Sequence, residues 1–460
     1  MIWLIIVLAF ILRLINLNQS LWFDEAINVV AAGFSDFWWF VARYSIGDFH
    51  PPGWFAILWV WGHIFGFSEI SVRLPSVFFG VATVWLIYLL GKELFNRKVG
   101  LLAALFLAIA PLHIYYSQEA RMYVFSTFAV TLSFYFLHRL TINRKWSEIG
   151  YIVSIVLVLY SDYLPILVIP TQIFYLLFVK KINIKILVSY FIAGVAFFPW
   201  LTIFPLQLQT GINKTVSLPG WEEIVGGSNV RDLLLIPIKI FFGKVTLSNK
   251  ILYAAISVFT GLIFGSIFLN VLRKLDKSKM LLISWVIIPL FLAFSISFFV
   301  PVLSYFRMIF ILPGLYLIMA KSILEFPRKI AIASFSIILF ISIASLLGYY
   351  FEPRFQREDW RGAVNFVSQN LEVKSIVIFE NNEVPAPVRY YNPNLSKFKP
   401  GLSVDLASNL EGKNKIYLFE YLADVYDPNR IVEQKIKGLN FIQKKVYDFH
   451  GVGFVKLYVK

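Results

Sequence analysis

Ionisable residues are scarce in this chain, and several stand in short aromatic stretches where they could do chemistry. Asp48 and His50 lie two apart in "DFHPPGWF" (48–55). As a pair they could contribute to a divalent metal site. Alternatively His50 could hydrogen-bond within the loop, since the two prolines favour an extended entry and a helix start at Pro52. Arg307, in "SYFRMIF" (304–310), sits about one turn inside an apolar run. There it could snorkel to the interface, or, facing a cavity, bind phosphate through its planar fork. "SQEARMY" (117–123) brings Glu119, Arg121 and Tyr123 together, as an ion pair capping the next helix or as groups of a site. Asp162 is alone in a short turn between Ser161 and Tyr163. Asp24 and Glu25, adjacent in "LWFDEA" (21–26), follow the first apolar segment directly. As plain helix C-termini they would oppose the macrodipole, and ionisable residues at a membrane boundary are functional candidates.

The elements that must position these groups are membrane helices. Of 460 residues, 58% are hydrophobic and 15% charged, against about 45–50% and about 25% in ordinary soluble domains. The runs 99–116 and 330–347 each contain no charge, and about 20 mainly apolar residues span a bilayer. Eleven spans are predicted, roughly at 1–17, 75–91, 99–116, 121–138, 149–161, 163–179, 186–204, 251–271, 280–300, 304–320 and 330–348. The first lacks the basic start and small-residue cleavage site of a signal peptide, so it reads as retained.

Charge sets the topology. Five loops, at 92–98, 139–148, 180–185, 273–279 and 321–329, hold sixteen Lys and Arg against four acids. Excess Lys and Arg marks cytoplasmic loops. Ten of the fourteen acids before residue 351 fall in or beside the alternate segments. The polar chemistry is therefore expected at the outer face of the cell membrane, with external loops at 18–74 and 205–250. The stretch 52–67 is rich in Trp and reads as a helix lying in the outer interface, which places the amino terminus in the cytoplasm. The net charge of +15 then reflects topology, and no nucleic-acid partner is implied. No cysteine is present, so thiolate nucleophiles and disulfides are excluded.

Residues 1–350 form the membrane domain in this reading. Residues 351–460 carry 16 basic and 13 acidic residues and no spanning run. "SIVIFE" (375–380) and "KIYLFEY" (415–421) read as strands, "RIVEQKIKGL" (430–439) as a helix, and the segments around His450–Gly451 as a hairpin. This is a small extracytoplasmic α/β domain. The clusters together suit a membrane-level cavity for a substrate with an anionic head group and a lipid tail. A lipid-linked-sugar flippase or transporter, or a glycan-binding scaffold, are the rival classes. The interrupted segment pairs of secondary transporters are not evident.

"WFDEA", "HPPGWF", "RLPS", "GKELFNRKVGLLAALFLAIAPLHIYYSQEARMY" and "REDWRGAVNFV", in that order, resemble GT-C class membrane glycosyltransferases. The similarity is to the protein O-mannosyltransferase-related family, which includes the lipid A aminoarabinose transferases. It covers residues 1 to about 140 and returns at 357–367. The resemblance implies a polyprenyl-phosphate-linked sugar as donor and a glycolipid, polysaccharide or protein as acceptor, reached among membrane lipids. It implies Asp24 as catalytic base and Glu25 as its support. Asp48 and His50 would stand near the active site, as the candidates for any metal, and Arg121 and Tyr123 would line the donor cavity.

Overall fold

The computed structural model describes residues 1–217, 230–273 and 275–460. Residues 218–229 of the loop expected at 205–250, with Glu222 and Glu223, lie outside the described residues. Five described helices are long and apolar enough to cross a membrane: Glu69–Leu94, Ile184–Leu201, Lys250–Leu272, Lys277–Ile296 and Arg328–Phe351. A sixth crossing is reached by counting the bent pair Arg97–Ala108 and Pro111–Ser117 as one. Shorter apolar helices include Ile2–Leu14, Gly53–Phe65 and Ser147–Ser161.

Prolines explain where the apolar runs and the helices differ. The run 99–116 breaks before Pro111, and the two pieces meet at 62°. Proline lacks an N–H and its ring crowds the preceding turn, which favours a break there, although Pro75 and Pro289 are carried inside continuous helices. Arg13, fully buried in the first helix, offsets the break by donating to the carbonyls of Leu107 (3.4 Å) and Ala108 (3.2 Å). The run 304–320 becomes helical only at Leu312–Glu325, where Pro313 occupies the first turn. Arg307 therefore lies in the preceding turn, not one turn inside a span. Within the external loop expected at 205–250 the described residues include two helices, Phe204–Ser217 and Val230–Phe242.

The basic loops gather at one end. Tyr135 donates to Glu93 (3.4 Å) and Arg139 to Tyr135 (2.9 Å). Ser278 donates to the Leu94 carbonyl (3.3 Å), and Lys279 pairs with Glu325 (3.1 Å). Lys185 lies 3.9 Å from Glu148. Helix Gly53–Phe65 both leaves and returns at the opposite end. Before it, His50 meets Asp162 (3.1 Å); after it, the Phe67 carbonyl accepts from Tyr390 (2.8 Å) and Glu69 pairs with Arg361 (2.8 Å).

The C-terminal domain is a five-stranded sheet of order β2-β1-β3-β5-β4: β1 Ser375–Phe379, β2 Phe398–Pro400, β3 Lys415–Phe419, β4 Ile442–Phe449 and β5 Gly453–Val459. β1 is parallel to β2 and β3; β3 to β5 and β5 to β4 are antiparallel. The alternation of strand side chains gives two cores. Val377, Phe379, Tyr417 and Phe419 pack with helix Trp360–Gln369 and with Val388. Ile376, Ile378, Ile416 and Leu418 pack with Leu406, Leu410, Val432 and Ile436.

Candidate active site

Asp24 and Glu25 do not end the first helix. That helix stops at Leu14, and both acids fall in the first turn of the next, Phe23–Phe34. There they complement the positive end of the dipole, and Glu25 accepts the Trp22 N–H (3.4 Å). Consecutive helix residues point about 100° apart, so the two carboxylates part. The Asp24 side chain is 36% exposed and lines a cavity, 3.7 Å from Arg121. Glu25, expected beside it in the site, turns inward and lines no part of that cavity. It accepts from Arg73 Nη2 (2.6 Å) and Nε (2.9 Å) and from the Ala120 N–H (2.7 Å). Arg73 also donates to the carbonyls of Leu17 (2.8 Å), Gln19 (2.6 Å) and Ser20 (3.0 Å). One buried pair thereby fixes the linker before Asp24 and the 117–121 segment opposite it.

The cavity, about 1700 Å³, lies between the membrane helices and the C-terminal domain. Asp24, Asp48, His50, Glu119, Arg121, Tyr123 and Arg307 all line it. Asp162 does not, but it accepts from His50 Nδ1 (3.1 Å) and from the Tyr163 N–H (2.7 Å). Burial, which alone would raise the Asp162 carboxyl, is outweighed by His50, Arg307 and that N–H, which hold it below the usual range. The other ring nitrogen of His50 faces Arg121 Nη2 at 3.4 Å. The loop behind it is held by Gln207, whose amide donates to the carbonyls of Asp48 and His50 (3.0 Å each).

The local Glu119–Arg121 pair is not formed as an isolated cap. Glu119 pairs with Arg357 (2.9 Å), and Arg121 turns to Asp24. Burial raises the Glu119 carboxyl despite Arg357, with Glu25 adding to the rise. Arg357 also donates to the carbonyls of Tyr115 (3.1 Å) and Gln118 (3.3 Å). Arg357 and Glu358 stand in the "REDWRG" motif, yet nothing in their spacing assigned them to the site. Glu358 accepts the Phe23 N–H (3.1 Å), Trp360 Nε1 (2.7 Å) and the Tyr421 hydroxyl (3.1 Å). It thus ties the C-terminal domain to the first residue of the helix that carries Asp24. Burial pushes its carboxyl up to about 7, against those three donors.

Lys244 gave no sequence signal. Its ammonium donates to the Tyr305 hydroxyl (3.0 Å) and lies 5.0 Å from the Tyr115 ring centre. Arg307 donates to the carbonyls of Pro301 (3.2 Å) and Val302 (3.4 Å). Among the described residues neither Lys244 nor Arg307 forms a salt bridge with a carboxylate. Both line the cavity, which thus carries two cations that have no direct ion pair among the described residues.

Among the described residues Asp48 and His50, 3.8 Å apart, are not part of a group of three metal-binding side chains. Among the described residues such a group is Glu380, Glu420 and Glu433 of the C-terminal domain, with oxygens within 4.8 Å of one another. Its charge is already met: Lys456 bridges Glu420 (2.6 Å) and Glu433 (3.0 Å), Lys437 pairs with Glu433 (2.6 Å), and Arg430 with Glu380 (3.1 Å). That donor set fits an ion-pair network better than a cation site.

Residues 49–203 match the family model described as dolichyl-phosphate-mannose-protein mannosyltransferase. No curated protein matches the chain. Among solved structures it is similar to ArnT from Cupriavidus metallidurans bound to undecaprenyl phosphate, at 9% identity and a TM-score of 0.63, over 99% of this chain and 97% of that one. It is similar to the Archaeoglobus fulgidus oligosaccharyltransferase in complex with Zn and sulfate, at 13% and 0.54, over 99% and 73%. It is similar to the arabinofuranosyltransferase AftD from Mycobacteria, at 13% and 0.55, over 100% and 39%. The fold is that of GT-C membrane glycosyltransferases, as the sequence motifs implied.

Proposed function

We propose that this chain is an inverting glycosyltransferase that moves a sugar from a polyprenyl-phosphate carrier to an acceptor hydroxyl at the outer face of the cell membrane. The observation that carries the reading is the joint placement of Asp24 and the cations Lys244 and Arg307 around one cavity. An acceptor hydroxyl is a weak nucleophile at neutral pH. Asp24 takes its proton as the oxygen attacks the anomeric carbon. The new carbon–oxygen bond forms as the bond to phosphate breaks, and the electron pair leaves with the lipid phosphate. Lys244 and Arg307 neutralise the charge growing there. A single displacement inverts the anomeric centre. Arg121, close to both Asp24 and His50, orients the base. One structural neighbour holds undecaprenyl phosphate, and another an inhibitory peptide and a dolichol-phosphate; both fit a lipid-phosphate donor here. The chain's own residues supply base and cations.

The test is donor binding. Arg307→Ala should weaken binding of a polyprenyl-phosphate sugar at least tenfold, and Arg307→Lys should recover only part, because a point charge lacks the fork. Unchanged affinity in Arg307→Ala would show that this arginine serves the 301–307 turn alone.

The orientation in the membrane follows from the same reading. The amino terminus and the basic loops lie in the cytoplasm, and the cavity and residues 351–460 lie outside. Helix Gly53–Phe65 then rests in the outer interface, which its return to the cavity end supports. An alkaline phosphatase reporter fused after Lys460 should be active only if exported. Activity from a cytoplasm-restricted reporter at that position would reverse the orientation.

A further inference from the structure

The C-terminal sheet reverses its strand order beside the cavity. From β1 the chain first goes to β2 on one side, then returns past β1 to β3 on the other. Val388, from helix Ala386–Tyr391 on the first connection, packs on the Val377 and Phe379 face. Val432 and Ile436, from helix Ile431–Gly438 on the connection that leaves β3, pack on the Ile376 and Ile378 face. The connections therefore diverge over the carboxyl ends of β1 and β3. In open α/β sheets ligands bind in the crevice at such a switch point.

Here that crevice opens into the cavity that holds Asp24. Asn381, Asn382 and Glu383, after β1, and Tyr421, Leu422 and Tyr426, after β3, line the cavity wall. Burial, then Asp24, then Glu383 raise the Tyr426 phenol, so base and crevice share one electrostatic field. Leu422 has φ 51°, a left-handed conformation unusual outside glycine. Strain of this kind concentrates at ligand sites.

We propose that the β1/β3 crevice is the acceptor subsite and that its ligand is an uncharged saccharide presenting a hydroxyl to Asp24. The proposal rests on the glycosyl-transfer reading of the same cavity. Its chemical class follows from the wall. A phosphate subsite at a switch point needs a glycine-rich turn so that backbone N–H groups can cradle the anion. The loop after β1 reads Glu-Asn-Asn-Glu-Val-Pro, with no glycine; Glu383 lines the cavity, and Arg389, which also lines it, stands exposed on the following helix outside that turn. Amides and a carboxylate instead match hydroxyls, which both donate and accept. Tyr426 supplies an aromatic face for a sugar ring. A peptide acceptor would be read along an exposed strand edge. The edges of this sheet are β2 and β4, whereas the crevice lies between the internal strands β1 and β3.

The experiment uses the full chain in detergent on immobilised probes: neutral oligosaccharides, the same oligosaccharides phosphorylated, and Ser/Thr peptides. Neutral oligosaccharides should capture the parent and Asp24→Asn. Asn382→Ala and Tyr426→Ala should reduce capture at least tenfold with unchanged melting temperatures. Asn382 is exposed, so its variant keeps the fold even if Tyr426→Ala does not. Preferential capture by peptides or phosphorylated probes, no saccharide capture, or capture indifferent to Asn382→Ala would overturn the proposal. Transfer from a polyprenyl-phosphate sugar is measured separately. Saccharide capture without any transfer would overturn the glycosyl-transfer reading and leave a saccharide site that is not an acceptor subsite.

Discussion

Asp24→Asn is expected to lower sugar transfer by about 10²–10⁴-fold, the usual cost of losing a general base, or about 3–5 kcal/mol of barrier. The side chain keeps its size and its place in the first turn of helix Phe23–Phe34. Donor binding should survive, because Lys244 and Arg307 lie on other elements of the cavity wall. Part of the loss belongs to Arg121, which would no longer face a carboxylate 3.7 Å away. Arg121→Gln separates the two contributions: it should cost less than Asp24→Asn if proton transfer dominates. The check is single-turnover transfer by purified variants, with melting temperature measured alongside. Turnover of Asp24→Asn within about threefold of the parent would move the base elsewhere, with Asp48 as the next carboxylate on the same wall.

The largest effect on stability is expected from Arg73→Leu. Arg73 and Glu25 are at most 1% exposed and meet at 2.6 Å. Removing one partner leaves the other charged and buried, at a cost of about 3–5 kcal/mol. Three carbonyl partners at 17, 19 and 20 are orphaned as well. Glu25→Gln should be milder, since an amide keeps the Ala120 contact. The double replacement Arg73→Leu with Glu25→Leu should recover stability relative to Arg73→Leu alone, as neither charge is then stranded. Denaturation in detergent measures all three; a loss below about 1 kcal/mol in Arg73→Leu would show that water reaches the pair. The same pair gives a pH dependence. Burial favours the neutral Glu25 carboxyl, but Arg73, Arg357 and the Ala120 N–H hold it below the usual carboxylate range. The unfolded chain thus binds the proton more readily. The stabilisation is complete above about 4.5 and disappears as pH falls through the lower folded value. Arg73→Leu should lose this acid sensitivity.

Much of the architecture is legible in the sequence because hydrophobic run length, Lys/Arg bias and strand alternation are local patterns. Most apolar runs contain helices, though 99–116 is broken and 304–320 is helical only in part; β1, β3 and the 442–459 hairpin lie where the patterns place them, and the basic loops gather at one end. Asp24, Asp48, His50, Glu119, Arg121, Tyr123 and Arg307 carry a signal because charges are costly beside apolar sequence, and they do meet at one cavity. Roles within that set depend on direction and on distant partners, and spacing encodes neither. Asp24 and Glu25 are chemically alike and adjacent in sequence, yet the helical turn sends one to the cavity and the other to Arg73, 48 positions away. Glu119 is two residues from Arg121 but pairs with Arg357, 238 positions on. Lys244 lies in a segment with no motif, and only its approach to Tyr305 and Tyr115 makes it a cavity group. The C-terminal strands are local patterns too, but their order is a tertiary matter. It is the return past β1 to β3 that brings the loops after both strands to the wall of the cavity that Asp24 lines.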